Sequence, residues 1–298
     1  MDSRDYVFAF PIDGAAGVPA DFEPPPGVND LLAGLFLPQS EPDSLGRRAY
    51  PARILLLTPD GLWVVPHPRA MEQRFFVLLG DLEALECGRF LLLGWIGFRC
   101  EDGEQVLRYN RRCSDTVEKF LTRLKACWLS QQVGQTAPEL ALRGDYGAAL
   151  NVKFKYALET ERIGDEEPPL IRLFLPSVRR FRRRVFRHET WSGGDLILLS
   201  QRRVLWITER RGTVCEPYGT ISYSAPLAAL VEAGYYSAAH EPQLRVCLRS
   251  GQIWRLPLDN GNEPDAQSFA AAIQEALRVS RANEPLSMRT ESTSTGQQ

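Results

Sequence analysis

The sequence predicts a mainly β chain made of two like units, each closed by one amphipathic helix. Three observations predict it. An apolar–turn–apolar segment occurs twice, as RILLLTPDGLWVV at 53–65 and as DLILLSQRRVLWIT at 195–208. Superposing Trp63 on Trp206, an offset of 143 (206 − 63), also puts Leu55 on Leu198, Leu56 on Leu199, Leu62 on Leu205 and Val64 on Ile207 without a gap. The tetrapeptide LFLP precedes the segment both times, at 35–38 and 173–176, an offset of 138 (173 − 35). Each half then ends in a helical apolar pattern, with Phe120 answering Phe269 at an offset of 149 (269 − 120).

Tyr6–Phe10 reads as a first strand. Residues 11–30 carry five prolines and Gly14, Gly17 and Gly27, which is loop or polyproline II composition. The segment at 53–65 reads as a β-hairpin, because Pro59 presets φ and Gly61 accepts positive φ in the turn. Gln201-Arg202-Arg203 fills the same place in the second copy with weaker turn chemistry. Arg74–Leu79 reads as another strand. Asp81–Glu86 matches Pro226–Val231 at an offset of 145 (227 − 82). A second hairpin follows, turning at Asp102-Gly103 in the first copy and at Ser250-Gly251 in the second, an offset of 148 (251 − 103).

In the first closing helix Asp115 and Glu118 suit the N-terminus. Val117, Phe120, Leu121, Leu124 and Trp128 fall on one face. In the second, Pro264-Asp265 starts the helix, and Phe269, Ile273, Ala276 and Leu277 form its apolar face. The offset drifts from 138 to 149, as small loop insertions in a duplicated unit would make it. Leu150–Leu158 (LNVKFKYAL) reads as an alternating strand answering Tyr6–Phe10. The expected organisation is therefore a first domain at 5–130, a linker at 131–147, a second domain at 148–281 and a disordered tail at 282–298.

Composition bounds the function. The 298 residues are 44% hydrophobic and 24% charged, with a net charge of −2, ordinary for a globular chain of two domains. No run approaches the roughly 18 apolar residues of a membrane span, and MDSRDYVFAFPIDG does not read as a signal peptide. The six cysteines never form CxxC, and none of the three histidines (67, 188, 240) stands at metal-ligand spacing from one. These features predict reduced thiols, no metal, no cofactor and a cytoplasmic location. GxxxxGK[ST], HExxH and GxSxG are all absent, so no catalytic residue is nominated and the expectation is not an enzyme.

The order of strands, hairpin, further strands, hairpin and one closing helix resembles that of pleckstrin-homology-like domains. LILLSQRRVLWIT is similar to the strand–turn–strand of their bacterial members, where an apolar run, a basic turn and an apolar strand recur. The resemblance implies two split barrels from an internal duplication, in a bacterial-type protein. Copy one departs from it at Pro59-Asp60-Gly61, where a basic pair would stand.

One charge cluster stands out: Arg179, Arg180, Arg182, Arg183, Arg184 and Arg187 around Phe181, Val185 and Phe186, with Arg202, Arg203, Arg210 and Arg211 expected to add to it in space. A single-sign patch of this kind docks an acidic protein surface or anionic lipid headgroups. The competing reading has the arginines solvated or paired with Asp165, Glu166 and Glu167. The net charge of −2 makes nucleic acid an unlikely partner. The expected function is a binding or scaffold module that recruits a partner protein or an anionic membrane surface through this face, placing it peripherally at the membrane in the second case. The alternative is an enzyme or small-molecule-binding protein working from a groove between the copies.

Overall fold

A computed structural model describes residues 8–25, 28–39, 50–90, 93–131, 150–161, 167, 169–176, 178–181, 189–209, 219–238, 241–258 and 261–282. The chain divides into two compact units, Met1–Gln131 with Glu209–Tyr223, and Gln132–Thr208 with Ser224–Gln298. The expected linker at 131–147 and tail at 282–298 lie almost wholly outside the described residues.

In the first unit, five antiparallel strands form one sheet in sequential order: β1 (Phe10–Ile12), β2 (Ala33–Leu37), β3 (Arg53–Leu57), β4 (Gly61–Pro66) and β5 (Phe75–Leu78). Three longer strands form a meander: β6 (Leu82–Phe90), β7 (Leu93–Cys100) and β8 (Gly103–Asn110). Residues 219–223 line up beside β6, where the Ser222 hydroxyl donates to the Cys87 carbonyl at 3.5 Å. Helix α1 (Ser114–Gln131) closes the unit. All five apolar positions expected on its inner face are buried. Trp128 is fully buried and its Nε1–H donates to the Leu82 carbonyl at 2.9 Å, pinning the helix to the start of β6.

The β3–β4 sheet buries both its faces. Leu55, Leu57, Leu62 and Val64 join the core containing α1. Ile54, Leu56 and Val65 point the other way, against Ile12, Phe22 and Val28 of the proline-rich N-terminal segment. That segment is thus a cover for the sheet, which explains why its few apolar residues are buried although most of it is irregular.

The second unit opens with helix α2 (Val152–Thr160), which corrects the strand expected at 150–158. Asn151 caps it, its side-chain oxygen accepting from the Phe154 N–H at 3.1 Å. Leu150, Phe154, Ala157 and Leu158 recur at i, i+4, i+7 and i+8, and all are buried against Leu196, Leu198, Leu205 and Ile207. The strands are β9 (Pro169–Leu175), the short hairpin β10 (Val178–Phe181) and β11 (Glu189–Ser192), then β12 (Asp195–Ser200) and β13 (Arg203–Glu209). After β14 (Gly219–Pro226), whose last three residues belong here, come the meander β15 (Leu230–Ala238), β16 (Glu241–Leu248) and β17 (Ile253–Pro257), and helix α3 (Glu263–Ala282). Phe269, Ile273, Ala276 and Leu277 are buried as expected.

Strand pairing corrects two sequence superpositions. Leu57 pairs with Leu62, and Leu199 with Val204, so the hairpin turns correspond at an offset of 142 (199 − 57) rather than 143. A one-residue slip moves every side chain to the other face of a strand. Trp63 accordingly lies on the face of Ile54 and Leu56, its ring centroid 4.4 Å from that of Phe76 and tilted to it by 37°. Trp206 lies on the face turned away from α2, 6.1 Å from Trp254. The two tryptophans are not equivalent, and both are half-buried. In the meanders, a register shift falls between Leu82 and Ala84 in one unit and between Leu230 and Glu232 in the other. They match at 148 (230 − 82), replacing the offset of 145 read from the sequence.

Candidate functional site

The arginine cluster sits on an excursion between β9 and β12. Arg179 and Arg180 are in β10, opposite Trp191 and Thr190 of β11. Arg182, Arg183, Arg184 and Arg187 fall in the 182–188 segment; this segment, Arg210 and Arg211 lie outside the described residues. The structure thus shows a hairpin ladder leading into and out of the cluster, in register from Val178↔Ser192 to Phe181↔Glu189.

Arg202 and Arg203 stand at the β12–β13 turn and separate sharply. Arg202 is exposed. Arg203 is 3% exposed, which places it in the interior instead of on a docking face. Its Nε donates to Glu167 Oε2 at 2.8 Å, one terminal nitrogen to Ser224 Oγ at 3.2 Å and the other to the Glu161 carbonyl at 3.1 Å. The Glu161 carboxylate is 3.7 Å away. Ser200 completes the network: its hydroxyl donates to Glu167 and accepts from the Arg203 N–H at 3.2 Å. A buried guanidinium requires partners on several of its five donors, and here a carboxylate, a hydroxyl and a backbone carbonyl supply them, with the Glu161 carboxylate as a second counter-charge.

The same turn construction occurs in the first unit. Thr58 Oγ1 accepts from the Gly61 N–H at 3.3 Å, as Ser200 Oγ does from Arg203. Thr58 and Ser200, and Gly61 and Arg203, share the offset of 142 (200 − 58). Gly61 tolerates no side chain, since a Cβ would come within 2.4 Å of the Val77 carbonyl oxygen. The basic pair missing at this turn of the first unit is therefore a packing matter there, and in the second unit one of the two arginines is internal.

The competing reading of the sequence named Glu167 as a partner of the arginines, but it did not single out Arg203 or reach Glu161, because the two acids stand 36 and 42 residues before it. The signal available was a Ser two residues before a basic pair at a hairpin turn, the pattern of a hydroxyl accepting from the turn's own N–H groups.

Among the described residues no group of three His, Cys, Asp or Glu side chains could hold a metal ion. Cys87, Cys100 and Cys113 are buried free thiols, and Cys127 and Cys247 are half-buried ones. Burial raises the Cys100 thiol above its ordinary range, as it also does the Tyr109 hydroxyl. His67 shares a hydrogen bond of 3.0 Å with Asp21 and accepts from the Arg69 N–H on its other ring nitrogen, which fastens the N-terminal segment to the end of β4. Among the described residues no helix is long and apolar enough to cross a membrane.

No protein-family model matches this chain, and no curated protein matches it.

Proposed function

We propose that this chain is a non-catalytic binding module of two pleckstrin-homology-like units derived from one duplicated framework, recruiting an acidic partner protein or an anionic membrane surface through a basic face of the second unit. The duplication is supported by repeated backbone detail: the same hydroxyl-braced hairpin turn, the same bulge at an offset of 148, and a positive-φ glycine at both meander turns, Gly103 (φ 139°) and Gly251 (φ 81°).

The observation that carries the function is an asymmetry. The second unit inserts the β10–β11 hairpin between its first long strand and its central hairpin, and that excursion holds Arg179, Arg180, Arg182, Arg183, Arg184 and Arg187. The corresponding stretch of the first unit, between β2 and β3, opens with Gln39–Leu45 (QSEPDSL) and sets Glu41 and Asp43 against Arg47 and Arg48, so it carries no net charge where the excursion of the second unit is strongly basic. Two copies of a framework that differ in one charged excursion differ in what they attract. Arg202, at the β12–β13 turn of the same unit, is exposed.

Charge reversal at Arg182, Arg183 and Arg184 together is expected to abolish cosedimentation with vesicles containing anionic lipid, with the fold intact by circular dichroism. Undiminished binding by that triple variant sinks the assignment of the site. Loss of vesicle binding in the wild type as well moves the partner to the acidic-protein class.

A further inference from the structure

One face of the β15–β17 meander carries a cation cluster that the first unit lacks. Arg245 on β16 stands directly opposite Arg255 on β17. Like charges in that position repel, so their pairing needs a compensating reason. The Arg245 guanidinium lies over the Tyr236 ring, its Cζ 4.3 Å from the centroid. Its Nε is buried and has no hydrogen-bond partner. Arg255 is exposed, and among the described residues neither guanidinium is tied to a carboxylate.

Glu232, on the neighbouring strand, bonds the Tyr236 hydroxyl and not either guanidinium. Glu232 Oε1 accepts from the Tyr236 hydroxyl at 2.9 Å and from the Cys247 thiol at 3.6 Å. Glu232 thereby orients the ring on which Arg245 rests. At the bulge-defined offset of 148, Tyr236 corresponds to Gly88 and Arg245 to Gly97, which pairs with Val106. The first unit thus has two glycines and a valine where the second has an aromatic platform and two guanidinium forks.

We propose that Arg245 and Arg255, with Tyr236 as platform, form a binding site for a phosphate group carried as a monoester. Two fixed positive charges match a group that carries about −1.5 to −2 at neutral pH. Planar forks bind such oxygens in pairs, and stacking on Tyr236 holds one fork in place before the ligand arrives. The hydrogen bond to Glu232 raises the Tyr236 hydroxyl above its ordinary range and uses its one hydrogen, so Tyr236 stays neutral and serves as platform only. Burial, then Glu232, raises the Cys247 thiol, so it adds no negative charge to the site. This site is on a different element from the arginine hairpin and stands or falls independently of it.

The test is side-chain NMR of the arginine Nε–H groups in the full chain, titrated with inorganic phosphate and, separately, with acetate at matched ionic strength. Saturable movement of the Arg245 and Arg255 signals with phosphate is expected. Arg255→Gln should weaken it about tenfold, the size of one charge-assisted hydrogen bond, and Arg255→Lys should restore part of the loss. Unsaturating shifts shared with Arg202 and Arg278, or an Arg245 titration left unchanged by Arg255→Gln, would overturn the site. Tighter binding of acetate than of phosphate would overturn the phosphate assignment.

Discussion

Arg202 and Arg203 are chain neighbours with the same side chain and opposite circumstances. Arg203→Ala leaves Glu161 and Glu167 buried without their cation and is expected to cost about 3–5 kcal/mol. Arg202→Ala removes an exposed side chain and should change stability by no more than about 0.5 kcal/mol. Urea denaturation of the two variants reads the difference directly. Trp128→Ala should likewise cost about 3–5 kcal/mol, because it empties a fully buried site and strands the Leu82 carbonyl. The half-buried Trp63, part of it already in solvent, should lose less in the same assay. The helix face holding Trp128 was legible in the sequence, because period-3.6 spacing depends only on neighbours in the chain. The Arg203 network was not, because its acids come from a distant segment and only the tertiary fold brings them to the turn.

Elements were legible where local chemistry and burial pattern agreed. The hairpins at 53–65 and 195–208, the strand at 75–78 and both closing helices stand where turn residues and periodicity put them. Residues 150–158 show the opposite. Val152, Phe154, Tyr156 and Leu158 alternate like a strand, yet Val152 and Tyr156 are exposed and the buried set has helical spacing. The cap was the better signal. Asn151→Ala is expected to destabilise the second unit by about 1 kcal/mol through loss of the bond to the Phe154 N–H, measurable by thermal unfolding. The one-residue error in superposing the hairpins has a plain cause. Both strands of each hairpin are apolar on both faces, so composition cannot say which face is inward, and the paired tryptophans misled. Gly251 holds φ at 81° in open space, so Gly251→Ala carries only a backbone penalty, about 1 kcal/mol.

On the scale of the whole chain, a mainly β chain with closing helices was legible and its division was not. Two runs of strands closed by a helix follow from the sequence, but the division of the chain does not: Glu209–Tyr223 belongs to the first unit although the sequence places it within the second copy. A chain can cross between compact units within one strand without any change in composition. The proposed function rests on what differs between the two units. The second unit has a basic excursion at β10–β11 and a pair of arginines opposite each other on β16 and β17, one of them stacked on Tyr236, where the first has a stretch of no net charge and, opposite each other on β7 and β8, Gly97 and Val106. Each basic side chain near an anionic surface contributes about 1 kcal/mol, so the proposal expects the six clustered arginines to make a salt-sensitive contact. The most direct measurement is flotation of the purified chain with neutral and with anionic liposomes across a salt series. The account predicts flotation with anionic liposomes alone, falling as salt rises and lost when the arginines at 179–187 are neutralised. Equal flotation with both lipids, or flotation that survives neutralisation of the cluster, would contradict it.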